Sequence, residues 1–231
     1  MPSKKNSYKI LSVGGSIIIP PTGFDISFLK KFRELIVSEV KKGQRFILVI
    51  GGGATCRQYQ KGLRDAIDAS DVVQDWIGIY TTQFNAQFVR LLFGDHAHNE
   101  IITNPTKKTN TKKSILVAAG WKPGTSTDGD AVLLAKTYGA KEVINLSNVD
   151  YVYDKDPRTN PGAKKFDNLT WKEFRKIVGD KWTPGANVPF DPVAAKEADK
   201  LGLTVKFVKG TELEKVRSVL NNTAVLGTVI Y

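Results

Sequence analysis

A chain of 231 residues with a hydrophobic share of 41% is long enough to bury one large α/β core. It carries 34 Lys and Arg against 23 Asp and Glu, a net charge of +11, and a single cysteine, Cys56. An intrachain disulfide is thereby excluded, no apolar run reaches the ~18 residues of a membrane span, and no apolar leader follows Met1, so cytoplasm is the expected compartment. The positive charge fits either a nucleic-acid binder or a lysine-rich solvated surface with a site for anionic substrates. No nucleic-acid motif accompanies it, and its densest patch (Lys107, Lys108, Lys112, Lys113) lies in a polar loop without interleaved aromatics. Nucleic acid is therefore not the expected partner.

In chain order, Tyr8 to Val13 reads as a buried strand. Asp25 caps a helix that ends at Gly43, with Phe28, Leu29, Phe32, Leu35, Ile36 and Val40 on one face. Arg45 to Ile50 is a strand, Ala54 to Ile67 a helix, and Trp76 to Phe93 a long helix. Glu100 to Thr103 is a short strand and Ser114 to Ala119 another. A helix runs from about Asp128 to Tyr138 and is closed by Gly139. Glu142 to Leu146 is a strand. Asn148 to Lys165 is a polar excursion without periodicity, of the length that usually carries function. Thr170 to Val178 is a short helix, and Gly179 to Phe190 a loop. Asp191 caps a helix with Pro192 in its first position, ending at Gly202. Leu203 to Val208 is a strand, Glu212 to Leu220 a helix, Gly227 to Tyr231 a last strand. This alternation predicts a mostly parallel open sheet with helices on both faces, a three-layer αβα sandwich over residues 1–231 without a firm internal boundary.

Three strands run into glycine-rich turns that precede helices: Gly14-Gly15-Ser16, Gly51-Gly52-Gly53, and Gly120-Trp121-Lys122-Pro123-Gly124-Thr125-Ser126-Thr127-Asp128. Glycine lets backbone N–H groups approach an anion, and a following helix adds a partial positive charge. Three such turns at strand ends predict several phosphates held close together, and hence phosphoryl transfer. The Walker A pattern is absent. Cys56 stands where a dinucleotide fingerprint needs its last glycine, the protein-kinase signatures are missing, and His96 with His98 is too little for a structural zinc site.

These turns, with Arg57 following the second, resemble the amino acid kinase superfamily. Asn145-Leu-Ser-Asn-Val-Asp150, Tyr153-Asp-Lys-Asp-Pro157, Asn160-Pro161, Asp75-Trp-Ile-Gly-Ile79 with Asn85-Ala86, and Asp191-Pro-Val-Ala-Ala-Lys196 are similar, more narrowly, to the archaeal-type UMP kinase family. The similarity covers nearly the whole chain in family order. It implies the amino acid kinase-like fold, transfer of a phosphoryl group from ATP to UMP with Mg²⁺, and a homohexamer. It also implies that residues to about 130 mainly bind the acceptor and those from about 131 mainly bind ATP.

On that resemblance, Ser12, Val13, Gly14, Gly15 and Ser16 would set backbone amides against the donor phosphates, and Gly52 and Gly53 would approach the acceptor phosphate and the transferring group. Arg57 offers a fork that matches phosphate oxygens, the alternative being a surface ion pair. Asp75 would take the UMP ribose, the alternative being a helix cap before Trp76. Gly120, Trp121, Lys122, Pro123, Gly124, Thr125 and Ser126 would wrap the uridine; packing is the alternative for Trp121 and for Trp182. Thr127 is either a cap or a phosphate contact. Asp128, with Arg57 and Ser16, would be catalytic: the matching family aspartate organises the catalytic cations, and an aspartate facing phosphates needs a cation or lysine beside it. Ser147, Asn148, Tyr153 and Asp156 would hold the adenosine of ATP, loop packing against Pro157 being the alternative for Tyr153. No protein metal ligand set is assigned.

Two departures stand out. Ser12 occupies the position where bacterial-type relatives carry a lysine aimed at the transferring phosphoryl, which leaves Lys122 and Lys155 as candidate replacements. Tyr151 stands where the family usually has glycine, a strained choice if the position needs positive φ. A non-catalytic nucleotide or oxoanion binder, and a kinase for another small phosphate or carboxylate, are the competing readings.

Overall fold

The computed structural model describes residues 7–181 and 188–231. Its central sheet has seven strands in the order β3-β2-β1-β4-β8-β9-β7. The strands are β1 (Tyr8–Val13), β2 (Arg45–Ile50), β3 (Ile115–Ala118), β4 (Glu142–Ser147), β7 (Asn168–Leu169), β8 (Thr204–Lys209) and β9 (Gly227–Ile230). The neighbours from β3 through β8 are parallel; β9 runs antiparallel to β8, and β7 pairs in parallel with β9. A separate antiparallel pair joins β5 (Val152–Tyr153) to β6 (Lys165–Phe166).

The helices are α1 (Gly15–Ile18), α2 (Ile26–Lys41), α3 (Gly53–Ala66), α4 (Asp71–Phe93), α5 (Thr127–Tyr138), α6 (Trp171–Val178), α7 (Pro192–Lys200) and α8 (Leu213–Leu220). Alternation along each strand divides the core in two. Phe46, Leu48 and Ile50 of β2 pack with Phe32 of α2, Val89 and Phe93 of α4 and Val219 of α8. Ile47 and Val49 face the other way, with Val132 of α5, Phe174 of α6 and Ala195 of α7. Strands β1, β2 and β3 are buried on both faces and therefore read as continuous apolar runs. The result is the αβα sandwich that the pattern predicts.

Local chemistry explains several helix ends. Asp25 accepts from Phe28 N (2.9 Å) at the start of α2, Ser126 from Gly129 N (3.1 Å) at α5, and Asp191 from Ala194 N (2.6 Å) at α7. Thr170 and Glu173 form a reciprocal capping box on α6. Gly139 closes α5 at φ 72°, a conformation that suits glycine.

Several expectations need correction. Helix α4 begins at Asp71, not Trp76, so Asp75 lies inside the helix and does not cap it. Ser126, not Thr127, caps α5. Residues 100–103 supply only one bridge, Ile102 to Ala118, because this edge segment is too short for a ladder. The excursion after Asn148 contains the β5–β6 pair, the helix after the first glycine turn is the short α1 that begins at Gly15 inside the turn, and β7 was not expected. Tyr151 is unstrained, since Asn222 is the only non-glycine with positive φ among the described residues. Trp182 lies outside the described residues.

Sheet order places the site. Strands β2 and β4 flank β1 on opposite sides, so the chain winds away from β1 in both directions. Ligand crevices in open α/β sheets form beyond the carboxyl ends of the strands at such a switch point. Val13, Ile50, Ala118 and Ser147 are those ends, and the three glycine turns and the polar excursion follow them.

Candidate functional site

Three cavities adjoin along this rim. The central one, about 340 Å³, is lined by the first two glycine turns, Ser12, Arg57, Thr127, Asp128, Asn145 and Arg158. A cavity of about 220 Å³ adjoins it, sharing Ser147, Asn148, Arg158, Val188 and Pro189, and is closed by Tyr151, Tyr153 and residues 154–157. On the other side, sharing Thr127, lies a cavity of about 140 Å³ lined by Cys56, Gln60, Asp75, Gly78, Ile79, Thr82, Gly120, Thr125 and Ser126. The central cavity is rich in polar groups; each end is walled by side chains and turns suited to one nucleoside.

The first two turns touch backbone to backbone. A Cβ on Gly15 would stand 2.1 Å from Gly53 N, and one on Gly53 would stand 2.6 Å from the Gly15 carbonyl carbon. Gly53 also has φ 65°. Only glycine satisfies both demands. Asn85, fully buried on α4, holds this junction: its Nδ2 donates to the carbonyls of Gly51 and Gly52, each at 3.0 Å. With its carbonyl side anchored, the turn faces the cavity. The sequence marks Asn85 only as part of the Asn85-Ala86 resemblance and gives it no role of its own.

Asp128 sits half-buried on the wall of the central cavity. Its Oδ1 accepts from Ser12 Oγ (2.8 Å) and Asn145 Nδ2 (3.1 Å), and its Oδ2 from Asp191 N (3.2 Å). All three donors are uncharged, contrary to the cation expected beside it. Burial pushes its pKa up to about 7; the Ser12 hydroxyl pulls it back and the Asp191 carboxylate pushes it further. Two residues on, the fully buried Asp130 accepts from Trp121 N (3.2 Å) and is pushed up to about 8, chiefly by burial. Asp130 also escaped sequence reasoning.

The other expected residues fall into three groups. Gly14, Gly15, Ser16, Gly52, Gly53 and Arg57 line the central cavity, where Arg57 Nη2 donates to Ser16 Oγ (3.0 Å). The Gly14 amide is already taken by Leu146 O (3.0 Å), and Val13 packs into the core, so neither Gly14 N–H nor the Val13 side chain is open to a ligand. Ser147 and Asn148 sit on the seam; Tyr153 lines the outer cavity with its hydroxyl donating to Asp150 (2.9 Å), and the Asp156 carboxylate is engaged by Arg158. Asp75, Gly120, Thr125 and Ser126 line the third cavity, and Asp75 Oδ2 accepts from Gly124 N (2.7 Å). Trp121, Lys122, Pro123 and Gly124 line none of the three, though the Trp121 and Gly124 amides tether their loop to Asp130 and Asp75.

Paired glycine turns, an arginine fork and a half-buried aspartate between two smaller hollows form an arrangement suited to phosphoryl transfer on an α/β sandwich. The chain belongs to the amino acid kinase family, whose profile matches residues 7–209. It is 31% identical over 224 residues to the uridylate kinase of Methanospirillum hungatei, covering 96% of this chain and 93% of that one. It is 34% identical over 219 residues to the uridylate kinase of Methanococcoides burtonii, covering 94% and 92%. Among solved structures, a uridylate kinase from Archaeoglobus fulgidus superposes with a TM-score of 0.81 at 30% identity, covering 97% of this chain and all of that one. A UMP kinase from Bacillus anthracis shares the fold, with a TM-score of 0.76 at 20% identity.

Proposed function

We propose that this chain is a UMP kinase, transferring the γ-phosphoryl group of ATP to UMP to give ADP and UDP. The observation that carries this reading is the line of three adjoining cavities, with the polar one in the middle. A donor and an acceptor nucleotide placed end to end need that arrangement. Its relatives are uridylate kinases, which names the acceptor. UMP occupies the cavity of Asp75, Gly120 and Ser126, with Asp75 near the ribose. The adenosine of ATP occupies the cavity of Ser147, Asn148 and Tyr153. The chain thus divides in use, though not in fold, into an acceptor part to about residue 130 and an ATP part beyond it.

Such transfer depends on alignment and charge neutralisation more than on a covalent catalyst. The Gly15–Gly53 junction sets the two phosphate tails head to head, and Arg57 draws charge from the transferring group. The donor set suits Mg²⁺: Asp128 is an ill-solvated carboxylate without a cation, and among the described residues no cluster of three His, Cys, Asp or Glu exists that would hold a metal alone. Magnesium usually binds one or two carboxylates together with substrate phosphates. When bound, it screens phosphate charge. The +11 net charge favours anionic substrates by steering.

No helix among the described residues is long and apolar enough to cross a membrane, and we place the enzyme in the cytoplasm as a homohexamer. Exposed Trp76, Tyr80, Phe84 and Leu91 along α4, beside a groove lined by Tyr59 and Leu63 of α3, supply an apolar face for such assembly. The test of function is a coupled assay of ADP release with UMP, CMP, GMP and AMP. A clear preference for UMP is expected. Equal use of all four would remove the acceptor assignment, and ATP binding without any turnover would make the protein a nucleotide binder.

A further inference from the structure

Neither lysine that the sequence offers as a replacement cation lines the central cavity. Lys122 Nζ rests over the Trp121 ring, 4.3 Å from its centroid, and Lys155 lines only the donor cavity. Two arginines do line it: Arg57 on the acceptor side and Arg158 on the donor side. Arg158 also lines the donor cavity, so it stands where the nucleoside end of a triphosphate would give way to its phosphates.

Its guanidinium is fixed from behind. Asp156 Oδ1 accepts from the backbone N and from Nε of Arg158, both at 3.0 Å, and Asp156 Oδ2 accepts from Nη2 at 2.7 Å. Nη1 donates to nothing among the described residues. One edge of the fork is thus occupied and the other remains available. Exposed ion pairs of this kind add little to fold stability. A fork already oriented does lose less freedom when it binds an anion. The same bonds hold the Asp156 carboxylate well below its ordinary range, so it stays charged and paired.

We propose that Arg158 is the cation that grips the donor phosphate tail in this chain, with Asp156 as its positioning residue and not a ligand of the adenosine. The inference rests on the UMP kinase reading. Arg158 exchanges no proton and stays charged throughout. It supplies on the donor side what Arg57 supplies on the acceptor side.

The first test needs no turnover. ATP and adenosine are titrated separately by calorimetry into the full chain and into Arg158→Gln. ATP binding is expected to weaken about tenfold or more, since a charge-assisted hydrogen bond is lost, while adenosine binding holds. Equal weakening for both ligands, or none for ATP, overturns the proposal. In steady state, Arg158→Gln is expected to raise KM for ATP and lower kcat with KM for UMP unchanged, and Arg158→Lys to recover part of the loss. Asp156→Asn is expected to raise KM for ATP severalfold with adenosine affinity kept; lost adenosine affinity would return Asp156 to the nucleoside. If the wild type binds ATP through Arg158 but does not phosphorylate UMP, the kinase reading fails alone. If the wild type phosphorylates UMP and Arg158→Gln matches it, the Arg158 assignment fails alone.

Discussion

The acceptor cavity is walled by helices and the donor cavity by a loop, and the two are held by different chemistry. Around the acceptor cavity most of the fixing groups are buried, the exposed bond from Gly124 N to Asp75 apart. Gln60 on α3 donates to Gln74 O (3.2 Å), tying α3 to α4, and Thr82 Oγ1 accepts from Gly120 N (2.9 Å). Asn85 and Asp130 anchor the neighbouring turns from within the core. Around the donor cavity the bonds are local and exposed. Asp156 holds Arg158, Asp154 Oδ1 accepts from Lys164 N (2.8 Å), and Asn160 Nδ2 donates to Asp156 O (3.0 Å). Buried polar bonds in a dry interior are costly to break, whereas exposed ones exchange readily with water. The wall of the acceptor cavity is therefore costly to disturb, and that of the donor cavity more adaptable.

The sharpest probe lies between the two sides. Asp128→Asn is expected to lower the rate of UMP-dependent ADP release by ~100-fold or more while the fold persists by circular dichroism. An unchanged rate would remove Asp128 from the chemistry. Next come paired substitutions on either side. Asn85→Ala should cost about 1–3 kcal/mol in a denaturant titration and raise KM for UMP, because the carbonyls of Gly51 and Gly52 lose their donor. Tyr153→Phe should leave stability unchanged and move only the ATP kinetics. Equal destabilisation by the two changes would erase the contrast.

A smaller effect separates the sides by pH. The Asp130 carboxyl is raised from 3.8 to about 8, so the folded state holds this proton more tightly than the unfolded chain. The stability that this group contributes is complete below its unfolded value and falls away as pH climbs toward 8. Asp130→Asn cannot ionise, so melting curves of variant and wild type should separate steadily between about pH 4 and pH 8, with the variant more stable at the alkaline end. Parallel curves would show that burial does not hold the proton there. The least effect on catalysis is expected from Phe84→Asp on the exposed face of α4. Light scattering should report a smaller assembly with kcat largely kept; an unchanged mass would move the contact face elsewhere.

Much of the fold was legible because parallel strands buried on both faces leave unbroken apolar runs, and capped helices leave Asp25, Gly139 and Asp191–Pro192 as punctuation. The start of α4 was not, since Asp71 to Asp75 carry mixed polarity and α4 buries only some of its turns. Within the site, glycines before helices announced the phosphate turns, and the order of motifs announced the family. The supports did not announce themselves. Asn85, Asp130 and Thr82 act through contacts across more than one element, and Arg158 sits in a stretch without periodicity, where only the folded path of the excursion brings it to the seam.

The contact between Gly15 and Gly53 has a consequence for how this enzyme varies. No side chain cushions the place where the first and second turns meet, so neither can be moved without moving the other. A saturation library at these two codons should return glycine alone among active clones, even though neither residue offers a functional group. Immutability here would reflect a shortage of room, felt equally by both nucleotides.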